Sequence, residues 1–342
     1  MNKFYPFIFL LAMLEVYSCK PPAKEKDPLP DLQEKGIYVV NQGNFQSGNG
    51  SVSFYNYSTG VTTSDIFSLE NNRPAGDVCQ SLTFYNNTFY LVVNNSSKIE
   101  VLNTNFVSTF TIKNLTSPRY ITFGSNGKGY ISDLYANGVS VLNTSTNTIE
   151  KKISINYWTE ELVTVKDTLY VTSPTSKYLY LINTTTDLLM DSINIGYGSS
   201  AIALDTNKNL WVLTSGDSLL KIKPSLLAIN PMNRQIYFTQ YFTNASSYQS
   251  NLNYNPLDGY VYWIDGDVKR LNTQNISSPP TIFIPASGRT LYGLGIDPAS
   301  GNIIVSDAGD YVERSIVYIY SNNGNLVNSF TAGIISGFIL VK

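Results

Sequence analysis

One pattern recurs seven times along this chain, and it restricts the fold more than any other feature. Each unit has a short strand, a polar turn, a second strand with an aromatic or aliphatic centre, a loop, and a third strand that usually ends in Asn. The second-strand centres are Tyr38, Tyr90, Tyr130, Tyr170, Trp211, Tyr262 and Ile304, at spacings of 52, 40, 40, 41, 51 and 42 residues. The third strands read SVSFYN (51–56), KIEVLN (98–103), GVSVLN (138–143), YLYLIN (178–183), SLLKIK (218–223), DVKRLN (267–272) and SIVYIY (315–320). A four-stranded repeat of about 40 residues marks a propeller blade. One twisted sheet buries both faces only between two neighbours, and radial closure removes long exposed edges. A lipocalin-like barrel needs fewer strands, and a pair of sandwiches would not show seven equal repeats. The sequence therefore predicts an all-β fold, a seven-bladed β-propeller over 36–342.

The first unit, 36–69, lacks an innermost strand, whereas GFILVK (337–342) is a strand without a unit. The two are expected to pair and close the ring. Composition agrees with strands and polar turns: 25 Tyr and 16 Phe stand beside abundant Asn, Thr and Ser. A net charge of −2 gives no basic field, which argues against nucleic acid as a partner.

The N-terminus reads as an export address. Met1, Asn2 and Lys3 precede an apolar stretch, Phe4 to Leu14, too short to span a bilayer. It ends at Val16, Tyr17, Ser18 and Cys19, which resembles the lipobox of bacterial lipoproteins; the alternative is a plain secretory signal with an incidental cysteine. The expected organisation is a signal peptide over 1–18, a flexible Pro-rich and charged tether over 19–35 with Cys19 lipidated, and the propeller over 36–342. Membrane attachment would then be through the N-terminal lipid alone. Cys79, the other cysteine, is expected to be a small buried residue.

Catalytic signals are poor. With no histidine, a Ser/His/Asp triad and any His-ligated metal site are excluded, and two separate cysteines cannot build a zinc site. Asp307, Asp310 and Glu313 share a loop in which Asp307, Gly309 and Asp310 could ligate calcium through oxygens, but the spacing is not that of an EF-hand and a solvated acidic loop is the favoured reading. Glu160 and Glu161 are read as opening a strand, where adjacent side chains point to opposite faces and would not cooperate. No enzyme, metal or cofactor is expected.

In a propeller, the loops that enter the innermost strands and those joining second to third strands surround one mouth of the central channel. Here those loops are the longest and richest, while the opposite face carries short Asn/Asp/Thr/Gly turns. The candidate ligand-binding residues are therefore Asn41, Gln42, Asn44, Asn94, Arg119, Tyr120, Asp133, Tyr135, Trp158, Tyr197, Tyr248 and Tyr292. Tyr157 lies among them in sequence. Rigid aromatic planes beside amides suit a flat or ring-bearing ligand or a sugar face; packing between blades is the competing role for each aromatic.

The stretches GIYVVNQGNFQSGNGSVSFYN (36–56), QSLTFYNNTFYLVVNNSSKIEVLN (80–103) and SPRYITFGSNGKGYISDLYANGVSVLN (117–143) resemble the YVTN-type propellers of Bacteroidetes surface lipoproteins, over residues 36 to about 340. Within that group the chain is similar to lipoproteins that capture corrinoids such as vitamin B12 for a TonB-dependent outer-membrane transporter. The resemblance implies an outer-membrane lipoprotein, exposed at the cell surface, that holds a ligand on its loop-rich face. A corrinoid is the leading candidate. A protein-interaction or glycan-binding scaffold is the alternative, and related propellers also include lyases, lactonases and subunits of quinoprotein dehydrogenases.

Overall fold

The computed structural model describes residues 34–242 and 249–342, together with Met1 and Leu32. Within them lie seven four-stranded antiparallel sheets, the blades of a propeller numbered here by chain order. Seven apolar clusters separate them, one between each pair of neighbours. Strand alternation builds these clusters. In Thr88–Val93, Phe89, Leu91 and Val93 face blade 1, whereas Tyr90 and Val92 face blade 3. The seven second-strand centres all point forward, each into the cluster shared with the following blade. Full burial of such a side chain contributes roughly 1.5–3 kcal/mol.

The ring closes as the sequence predicts. Ser336–Val341 forms the innermost strand of blade 1, with Ile37 opposite Val341, Tyr38 opposite Leu340, Val39 opposite Ile339 and Val40 opposite Phe338. Asn41 locks the junction. Its Nδ2 donates to Ser51 Oγ at 3.0 Å and Ser53 Oγ at 3.1 Å, and its Oδ1 accepts from the Gly333 N–H at 3.0 Å and Ser336 Oγ at 2.7 Å.

The fifth blade departs from the sequence reading. Its third strand is Ser225–Asn230, SLLAIN, and not SLLKIK at 218–223. The earlier segment folds into a projecting excursion closed by the Asp217–Ile222 bridge, with Leu219 and Leu220 exposed. The cause is burial. In SLLAIN, Leu226 and Ala228 enter one inter-blade cluster while Leu227 and Ile229 enter the other, but SLLKIK would put Lys221 at the fully buried Ala228 position between blades, and burying an unpaired charge is prohibitive.

Blade 1 is also atypical. Its outermost strand is only Thr62–Thr63, followed by a short helix, Ile66–Asn71, whose first turn Asp65 caps by accepting the Ser68 N–H. Ile66 and Phe67 fill the space between blades 1 and 2. Leu32 is buried in the same cluster, and its carbonyl accepts the Tyr38 hydroxyl at 2.9 Å. Glu34 accepts a bond from Asn56 Nδ2 at 2.7 Å. The last residues of the expected tether therefore pack onto the folded body. Cys79 is fully buried, which raises its thiol pKa. Cys19, the signal segment after Met1 and the tether up to residue 31 lie outside the described residues, as does Tyr248. Among the described residues no helix is long and apolar enough to cross a membrane.

Deleting residues 337–342 removes the side chains of Phe338 to Val341 from two inter-blade clusters. The loss is a large part of the ~5–15 kcal/mol that holds a typical domain together. Limited proteolysis and thermal melting should show the whole ring destabilised, with the midpoint lowered by about 10 °C or more; a truncated protein as resistant as the full chain would show that closure lies elsewhere.

Candidate binding site at the channel mouth

A shared irregularity places the site. In six of the seven innermost strands the pairing register slips near the first residues, a β-bulge at the same end of the blade. The residues passed over are Gln80 in blade 2, Arg119 and Tyr120 in blade 3, Ser200 in blade 5, Asn251 and Leu252 in blade 6, Tyr292 and Gly293 in blade 7, and Gly337 in blade 1. A bulge re-aims side chains that a regular pleat would turn into the blade interface. Gln80, Arg119, Tyr120, Ser200, Asn251, Tyr292 and Gly337 accordingly line one cavity of about 290 Å³ at the channel mouth. Blade 4 contributes Glu160 and Glu161, just before its innermost strand begins at Leu162. All seven blades thus meet there. Gly337 leaves room for Gln42, another wall residue: a Cβ would come within 2.6 Å of its Nε2 and push that side chain aside.

Most of the wall's polar side chains are hydrogen-bonded. Arg119 grips Glu160 with Nε at 2.9 Å from Oε2 and Nη2 at 2.6 Å from Oε1, and its Nη1 donates to Gln80 Oε1 at 2.6 Å. Trp158 Nε1 donates to Glu160 Oε2 at 2.6 Å, and its ring lies under the guanidinium, 5.8 Å from centroid to Cζ. Across the mouth the Tyr292 hydroxyl donates to Gln42 Oε1 at 3.0 Å, and its ring meets Tyr311 edge-on at 5.7 Å.

Glu161 behaves differently from its neighbour. Burial, helped by the adjacent Glu160 carboxylate, pushes its pKa from an ordinary 4.5 up to about 8, against the Ile202 N–H bond and the charge of Arg119. At neutral pH it is a protonated carboxyl able to donate a hydrogen bond. Burial beside Glu160 and Glu161 likewise keeps the Tyr120 hydroxyl protonated. The charge of Arg119 is matched by Glu160, so the mouth presents neutral donors and acceptors. The expectation that Glu160 and Glu161 diverge is overturned: both line the cavity, because they precede the strand and the pleat does not govern them.

Several sequence-predicted residues have other duties. Asn41 is fully buried in the ring closure. Asn94 bridges blades 2 and 3, donating to Ser117 Oγ and the Pro118 carbonyl, both at 2.9 Å. Asp133 is buried and organises its loop, accepting the backbone N–H groups of Thr116, Ser117, Tyr135 and Ala136. These three are satisfied internally and do not line the mouth. Asn44 sits on the rim, donating to the Tyr311 carbonyl at 2.8 Å; Tyr197 is half-buried away from the cavity wall. Gln42, Arg119, Tyr120 and Tyr292 do converge there. Tyr135 and Trp158, with Tyr157, line a shallower groove of about 470 Å³ on the same face. Tyr135 is 68% exposed. Sequence reasoning missed Gln80, Ser200, Ser250, Asn251 and Tyr311 and set Glu160 and Glu161 aside. Their signal was phase: Gln80, Tyr120, Glu160, Ser200, Asn251 and Tyr292 each stand 10 to 12 residues before a second-strand centre.

Fold and site together define a seven-bladed propeller with a polar, preorganised pocket at one mouth of its channel. The chain belongs to the DUF5074 family, a domain of unknown function, whose model matches residues 35–333. No curated protein matches it. Among solved structures it is similar to a quinonprotein alcohol dehydrogenase-like protein from Bacteroides thetaiotaomicron, with a TM-score of 0.73 and 13% identity over 91% of this chain and 78% of that one. It is also similar to the periplasmic gluconolactonase of Pseudomonas aeruginosa, with a TM-score of 0.66 and 10% identity over 90% and 98% of the two chains. A third is virginiamycin B lyase from Staphylococcus aureus, with a TM-score of 0.60 and 13% identity over 74% and 83%. At these identities the likeness is one of fold, and fold does not carry function.

Because native Glu161 keeps a proton that the unfolded chain loses above about 4.5, stability should fall as pH rises from there to about 8 and then level off. Glu161→Gln removes that slope. Urea midpoints at pH 5, 7 and 9 should show the variant gaining on the parent as pH rises; a pH-independent difference would assign the proton elsewhere.

Proposed function

We propose that this protein is a ligand-capture module of the cell envelope whose loop-rich face holds a ring-bearing, amide- or hydroxyl-rich molecule. One observation carries the reading: every blade feeds the same mouth, and what they place there is neutral hydrogen-bonding groups held in fixed positions beside an exposed aromatic groove. A preorganised wall loses little entropy on binding, and aromatic planes add contact area. A corrinoid is the leading candidate, since its rim of carboxamides matches such a wall. The cavity is too small to enclose a macrocycle, so the ring would lie across the mouth and reach Tyr135 and Trp158. Lipidation at Cys19, exposure at the cell surface and delivery to a TonB-dependent outer-membrane transporter complete the proposal. The proposed role is binding and not catalysis, in keeping with a Glu160 carboxylate occupied by Arg119 and Trp158.

Titration calorimetry with cyanocobalamin tests this. Binding below 1 μM corresponds to more than about 8 kcal/mol, and Tyr135→Ala and Trp158→Ala should each weaken it about tenfold or more. An absence of heat and of thermal shift would discard the corrinoid and favour a glycan or protein partner on the same face.

A further inference from the structure

The face opposite the mouth, where the sequence shows only turns, holds a second cleft of about 460 Å³ between blades 4 and 5. Val165, Leu204, Pro231 and Met232 give it apolar walls, and Met232 is 71% exposed. Thr164 also lines it, and its buried Oγ1 has no hydrogen-bond partner. Lys166 and Lys208 stand at its edge, contributed by equivalent turns of the two blades. Neither lysine forms an ion pair among the described residues, and Lys166 Nζ lies 3.8 Å from Met232 Sδ. No acidic residue lines the cleft. Asp167 is engaged by Ser125, and Asp205 by Asn209 and Trp211.

The backbone adds an independent reason to single out these lysines. Each turn between innermost and second strands in blades 2 to 7 contains a left-handed position, φ 46° to 77°. In blades 2, 3, 6 and 7 it is filled by Asn86 and Asn87, Gly127, Gly259 and Gly301, residues that adopt this conformation with least strain. Only Lys166 and Lys208, at φ 52° and 65°, put a long cationic side chain there, and they flank the same cleft. Strained positions of this kind concentrate at binding sites.

We infer that this cleft binds a small amphiphilic carboxylate, its apolar body against Val165, Leu204 and Met232 and its anionic group between Lys166 and Lys208. The site is separate from the channel mouth and does not depend on the ligand proposed there. Octanoate is the probe, with octanol as the uncharged control and inorganic phosphate as the anion without an apolar body. Octanoate should bind saturably, and each control at least tenfold more weakly. The Lys166→Asn/Lys208→Asn variant should lose tenfold or more in octanoate affinity while melting no lower than the parent, because Asn suits the left-handed turns. Thr164→Val should weaken binding several-fold, and Trp158→Ala, at the mouth, should leave it unchanged. The inference is overturned if octanoate fails to bind, if the folded double variant binds as tightly as the parent, if octanol matches octanoate, or if Trp158→Ala abolishes binding.

Discussion

Everything in this molecule depends on the burial of both faces of every blade. With seven apolar clusters in a ring, no blade is stable alone, and the last gap must be closed by pairing Ser336–Val341 with Gly36–Asn41. That requirement fixes the register of the strands that bear the site. It also explains why so much polar chemistry near the junction, Asn41 with Ser51, Ser53 and Ser336, is spent on closure and not on a ligand.

The same constraint makes the channel mouth exceptional. A regular innermost strand sends alternate side chains into the two neighbouring clusters, leaving none for the channel. The bulges release one or two residues per blade from that alternation, at one end only, so that Gln80, Arg119, Tyr120, Ser200, Asn251 and Tyr292 come together although separated by more than 200 residues of chain.

The repeat, the blade number and the closing strand were legible in the sequence because inter-blade burial writes a period-2 pattern seven times over. The fifth blade was misread because SLLKIK and SLLAIN share nearly the same alternation, and what separates them is the cost of burying Lys221 where SLLAIN has Ala228. The face of the site was legible, but its residues were so only in part. Asn94 and Asp133 look like ligand contacts in sequence, whereas in the fold they satisfy backbone and hydroxyl groups of adjacent loops. What escaped detection was the bulge, which leaves no local composition signal and emerges only when the repeats are placed in phase.

Glu160 and Glu161 show how far environment outruns sequence. Two identical side chains, adjacent in the chain, line one cavity, yet Arg119 and Trp158 fix the first as an ion-paired carboxylate while burial keeps the second protonated to about pH 8. The division follows from geometry. One guanidinium, already committed to Gln80, grips one carboxylate, and a second negative charge beside it would be repelled by the first. Glu161 therefore stays neutral, accepting the Ile202 N–H and keeping a proton it can donate. A ligand bringing a carbonyl or amide oxygen to the mouth would find a proton waiting, whereas a cationic ligand would have to expel it, so the same Arg119 grip that holds the wall in place would also favour neutral acceptors in the proposed site.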